Sequence, residues 1–119
     1  MQVRVHWNLH RAQYSVIAWE GDNKGKVISY EDLVTLVDCS FPVLASGNRR
    51  ARKEGSKNVH AYVQGTWVFT PVKFSGVEIT YNPFTMVSFQ RLDGTEITQA
   101  KKAILVGCGK PRVLVEEEL

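Results

Sequence analysis

The chain lacks nearly every signature that announces a metal, a cofactor or a covalent nucleophile. Its two cysteines, Cys39 and Cys108, are isolated and without CxxC spacing. They suggest neither a disulfide framework nor a zinc site and read as free, partly buried thiols. Phosphate-cradling loops of the GxxxxGK[ST] or GxGxxG type are missing, and "GCGKP" at 107–111 runs into a proline instead of opening a helix. GxSxG and HExxH are absent as well. Carboxylates are sparse in the central segments, where Glu31, Asp32, Glu78, Asp93 and Glu96 offer no evident acid and base pair. The expectation is therefore no metal and no cofactor, and a metal-dependent nuclease is disfavoured. Long apolar runs are lacking too. Nothing approaches the run of about 18 residues a membrane helix needs, and "MQVRVHWNLH" has charged and polar residues where a signal peptide has an apolar block. A soluble, cytoplasmic protein with no membrane partner is expected.

What is present suffices for one core. The 119 residues are 44% hydrophobic, which fits a single domain over 1–119. Apolar and polar residues alternate in "QVRVHW", with Val3, Val5 and Trp7 on one side and Gln2, Arg4 and His6 on the other, the period of a strand. "QYSVIAW", the turn formers "EGDNKGK" and "KVISY" make residues 13 to 30 a hairpin. In "YEDLVTLVDCSFPV", Ser29 with Asp32 fits a capping box, whereas the β-branched and aromatic content favours a strand from Leu33 to Phe41, the reading adopted.

Further strands are expected in "NVHAYVQGTWVF", with a bend at Gly65, in "GVEITYN", ended by Pro83, and in "TMVSFQR", "ITQAKKAILVG" and "PRVLV". Asp93-Gly94 supplies a hairpin signal in "LDGTE", and the acidic end at 116–119 is expected to fray. One segment reads as a helix: "ASGNRRARKEG", capped by Ser46 or Asn48 and stopped by Gly55. The predicted class is α+β, a mostly antiparallel β-sheet with one or two short helices.

The densest functional signal is the basic run that begins in that helix. Arg49, Arg50, Arg52, Lys53 and Lys57 stand against Glu54 alone, in a chain whose net charge is only +3. The basic character is thus a patch and not a general property. On a helix Arg49, Arg52 and Lys53 share a face and can neutralise phosphates or meet an acidic partner. The competing reading is a solvated face that only aids solubility. Aromatic residues surround the run in sequence, and Tyr62 and Trp67 are the candidates for stacking on bases.

Histidines raise a rival. A metal-free ribonuclease or nucleotide-modifying transferase needs a base, an acid and a cation, which His10, His60 and Arg49 supply if the fold brings them together. Zinc is not indicated, because His6 and His10 have ligand spacing only on a helix and their segment reads as a strand. Alternation in "NVHAYVQG" puts His60, Tyr62 and Gln64 on one face, continuing from the basic run.

The words "WNLHRAQYSV", "KNVHAYVQG" and "ITYNPF" resemble a group of short, mostly uncharacterised bacteriophage-encoded proteins over roughly the first two thirds of the chain. No functional residue transfers from that group. The resemblance implies a phage or mobile-element protein working in a bacterial cytoplasm. By analogy it suggests binding to nucleic acid or to a nucleic-acid-handling host complex, including inhibition of a defence system such as a CRISPR effector. A structural or assembly protein of the particle is a third reading, and exposed strand edges leave a homodimer open.

Overall fold

Alternation at the N-terminus defines the inside of the fold. Val3, Val5 and Trp7 are buried at 0%, 1% and 3% exposure, while the residues between them face outward. The computed structural model describes residues 1–8, 10–42, 61–69, 76–81, 89–107 and 110–117. These form nine strands: β1 (Gln2–Asn8), β2 (Gln13–Ala18), β3 (Val27–Glu31), β4 (Leu33–Ser40), β5 (Val63–Val68), β6 (Val77–Tyr81), β7 (Phe89–Gln90), β8 (Gln99–Gly107) and β9 (Pro111–Glu116). All belong to one antiparallel sheet in the order β3-β2-β1-β5-β4-β8-β9-β6-β7.

That order forces the sheet to curl. β3 and β4 are joined by Asp32 alone, yet β2, β1 and β5 lie between them. Four strand spacings in a flat sheet cover about 19 Å, whereas the step from Glu31 to Leu33 reaches at most about 7 Å. Strands β1, β2, β5 and the kinked pair β3–β4 therefore form a ring, and β8, β9, β6 and β7 continue from β4. The contacts agree. The Tyr14 hydroxyl lies 3.2 Å from the Val106 carbonyl and 3.0 Å from that of Arg112, and the Gly107 amide donates to the Asp32 carbonyl at 2.8 Å. Farther along, the buried Tyr81 hydroxyl accepts from the Trp7 amide at 3.3 Å and donates to the Ala61 carbonyl at 3.4 Å. Burial pushes its pKa up to about 12, so the phenol keeps its proton for that second bond.

No helix occurs among the described residues, which corrects the α+β expectation to an all-β class. The segment read as a helix, 45–55, lies outside the described residues. The other helix signal was local and lost to tertiary pairing. Ser29 sits in β3 with its hydroxyl on the Glu31 carboxylate at 2.8 Å, and Asp32 is the kink, so neither caps anything.

The expected strand from Leu33 closely matches β4. Of "TMVSFQR" only Phe89–Gln90 is strand among the described residues. The Asp93-Gly94 turn is present, with Gly94 at φ 90. It joins strands that barely pair, because β7 lies on β6 and β8 on β4 and β9, leaving the single bridge Gln90–Glu96.

Near the C-terminus Arg91 binds the Glu117 carboxylate through Nε at 2.8 Å and also through Nη2, while Nη1 holds the Glu96 carbonyl. The Arg91 hydrogen bond holds the Glu117 pKa below its ordinary value. Any stability this adds is present near neutral pH and is lost as falling pH passes through the lowered value. The pair is exposed, so the effect is small.

Candidate nucleic-acid interface

The outward face of β1 and its neighbours assembles from register. His6 stands opposite Ser15 of β2, and Ser15 stands opposite Tyr30 of β3. Tyr62, two residues before Gln64, meets His6 on the other side with the rings edge to face at 5.5 Å. In the next row Arg4 lies between Ile17 and Gln64, and beyond it Gln2 lies opposite Thr66. None of these positions carries a carboxylate.

Arg4 is the best-held cation of the face. Its guanidinium carbon lies 3.8 Å from the Trp19 ring centroid and 5.6 Å from that of Tyr62, and its Nε donates to Gln64 Oε1 at 2.7 Å. Burial pulls its pKa below the usual value, with Tyr62 partly opposing, although an arginine stays charged regardless. Lys24 Nζ lies 5.2 Å from the same Trp19 ring. At the far end of the face, Asn8 Oδ1 accepts the amides of His10 and Arg11 at 3.0 and 3.1 Å, and Ala12 takes φ 52. That turn lays the Arg11 guanidinium over Tyr30 at 3.8 Å.

The ion pairs among the described residues are Met1–Glu20, Arg91–Glu117 and Arg112–Glu78, and none includes Arg4, Arg11 or Lys24. These cations rest on aromatic rings and a neutral amide. A partly desolvated cation held in this way gains from meeting an anion.

Arg49, Arg50, Arg52, Lys53, Lys57 and His60 lie outside the described residues. Their flanks do not: the Tyr62 amide donates to the Pro42 carbonyl at 3.0 Å, so the chain leaves and re-enters the described fold beside Tyr62. His10 is exposed in the β1–β2 turn. Of the triad His10, His60 and Arg49, it alone is among the described residues. Tyr62 and Trp67 do not share a face, because alternation sends Tyr62 outward and Trp67 inward against the core, its ring 4.5 Å from that of Phe69.

Arg4, Trp19, Lys24 and Tyr30 went unrecognised as a group from sequence. The alternation that faces Arg4 outward was legible. The register that slides Trp19 beneath it was not.

Elsewhere the chemistry is quiet. No group of three or more potential metal-binding side chains occurs among the described residues, and no helix there is long and apolar enough to cross a membrane. Burial pushes the Cys39 thiol up to about 12, and Cys108 lies outside the described residues. At pH 8 the thiolate fraction of Cys39 is then about one in ten thousand. Iodoacetamide should leave Cys39 unmodified in the folded protein and label it after denaturation, as read by peptide mass mapping.

Residues 1–111 match the family described as Mycobacterium phage L5 gene 82 protein. The gene 82 protein of Mycobacterium phage L5 is 38% identical over 96 residues, an overlap covering 75% of this chain and 76% of the phage protein. The likeness runs further along the chain than the short words in the sequence indicated. No solved structure matches.

Proposed function

Because the chain belongs to the family of the Mycobacterium phage L5 gene 82 protein, we propose that this small phage-encoded protein binds nucleic acid, alone or within a host nucleic-acid-handling complex. The observation that carries the reading is the outward face on which Arg4 is held by Trp19, Tyr62 and Gln64 without an acidic partner among the described residues. The basic run supports it, since the described residues on either side of it in sequence meet at one border of that face, where the Tyr62 amide binds the Pro42 carbonyl. Arg49, Arg50, Arg52, Lys53 and Lys57 would supply phosphate contacts, and Arg4 and Tyr62 the anchored part of the surface. Trp67 is not assigned to it, because its ring packs inward.

Phosphate binding releases counterions, so the logarithm of the binding constant falls with that of salt by about 0.7 to 0.9 per phosphate neutralised. Replacing Arg49, Arg50 and Arg52 together with alanine should weaken binding to a labelled oligonucleotide at least about tenfold and flatten the slope by roughly 2 to 3. Fluorescence anisotropy across a salt series measures both. An unchanged affinity and slope would remove the basic run from the interface.

A further inference from the structure

The two ring-supported arginines set a stricter condition on the ligand than charge does. Arg4 lies on Trp19 and Arg11 on Tyr30, each guanidinium carbon 3.8 Å from a ring centroid. A guanidinium resting on an aromatic ring is a flat, weakly hydrated group. Both pairs stand on the same face, because Arg4 and His6 share one side of β1, His6 faces Ser15, and Ser15 faces Tyr30. Tyr30 is two strands and two residues from Arg4, a separation of about 12 Å. At that distance the two plates meet different nucleotides of one strand. Tyr30 is 37% exposed and Arg11 is exposed, so this end of the face is open to a ligand.

We infer that the β3-β2-β1-β5 face takes single-stranded nucleic acid, with unstacked bases lying against the Arg4–Trp19 and Arg11–Tyr30 pairs. The inference rests on the nucleic-acid reading above and narrows it. Two physical facts favour a single strand. In a duplex the base faces are hidden in the stack, so flat plates on a sheet have nothing to lie against. Single strands offer every base face, and stacking is tolerant of sequence. Shape points the same way. Four adjacent strands span about 14 Å between their outer backbones, whereas the major groove is about 12 Å wide and admits a helix or a two-stranded ribbon. This face cannot enter it.

The test compares a labelled oligothymidine of about 15 nucleotides, within the usual range of site sizes, with a duplex of equal length at matched salt. The single strand should bind at least about tenfold more tightly. The double variant Arg4→Lys/Arg11→Lys keeps both charges and loses both plates. It should lose roughly tenfold or more in single-strand affinity while its salt slope stays unchanged. Tyr30→Ala, on the exposed edge strand, should weaken single-strand binding as well, and a thermal melt of each variant establishes that it is folded. Equal or preferential binding of the duplex overturns the inference, as does a folded double variant that binds the single strand like the parent protein. Failure of both nucleic acids to bind overturns the parent reading instead.

Discussion

Trp7→Ala is expected to cost about 3–5 kcal/mol of folding stability, the usual range for deleting a fully buried large aromatic side chain. Trp7 is 3% exposed and sits where the two halves of the curled sheet meet. Its ring meets that of Tyr14 at 5.0 Å and 72°, an edge-to-face contact, and its amide is bound by the Tyr81 hydroxyl. The indole also fills the space above Gly107, where an added Cβ would lie 2.7 Å from its Cζ3 atom. Alanine leaves a cavity bounded by β2, β6 and β8, each held in place by ladders to its own neighbours, so that they cannot readily collapse into it. Urea titration should show a lower midpoint with little change in slope. Trp67→Ala is the control, because Trp67 is only partly buried and should cost less. If the two variants unfold at the same midpoint, Trp7 is not the joint described.

Gly65→Ala should cost about 1–3 kcal/mol by overpacking. β4 and β5 slip register between Val37–Thr66 and Ser40–Gln64, so Asp38 and Cys39 together face Gly65. Asp38 takes φ 52 to make this bulge. A Cβ on Gly65 would lie 2.8 Å from the Val37 carbonyl oxygen, 3.3 Å from Leu36 Cβ and 3.4 Å from Cys39 Sγ. The first of these is backbone held in a ladder, so no rotamer change relieves it. Adding Cys39→Ala to the variant should therefore fail to restore the melting temperature. Full rescue by that second change would show that the thiol, and not the carbonyl, sets the limit.

The bulge also shows what a sequence discloses and what it withholds. A bend at Gly65 was legible because a glycine inside a strand pattern marks a bulge or a close approach. That the extra residue belongs to β4 was not, since this depends on which strand lies opposite. The same division holds along the chain. Val3, Val5 and Trp7 declare the inside of β1 by alternation alone, and "EGDNKGK" declares a hairpin by its turn residues. The capping-box signal at Ser29 and Asp32 was outweighed, as the strand reading had it, because it is local while pairing with β2 decided the outcome. The phage likeness was legible in short words and holds over most of the chain. The Arg4–Trp19 plate was out of reach, because it requires the β1–β2 register and the Trp19 side chain continuing past the end of a strand.

Closure of the ring bears on how the protein is made. Gln2 pairs with Thr66, so the first strand waits for its second neighbour until more than half the chain exists. The β1–β2 hairpin can form within about 10 μs, but at a synthesis rate of about 5–20 residues per second β5 follows roughly 2 to 10 s later. For that interval a nascent chain holds out a strand edge with valines and a tryptophan on one side and arginine and histidine on the other.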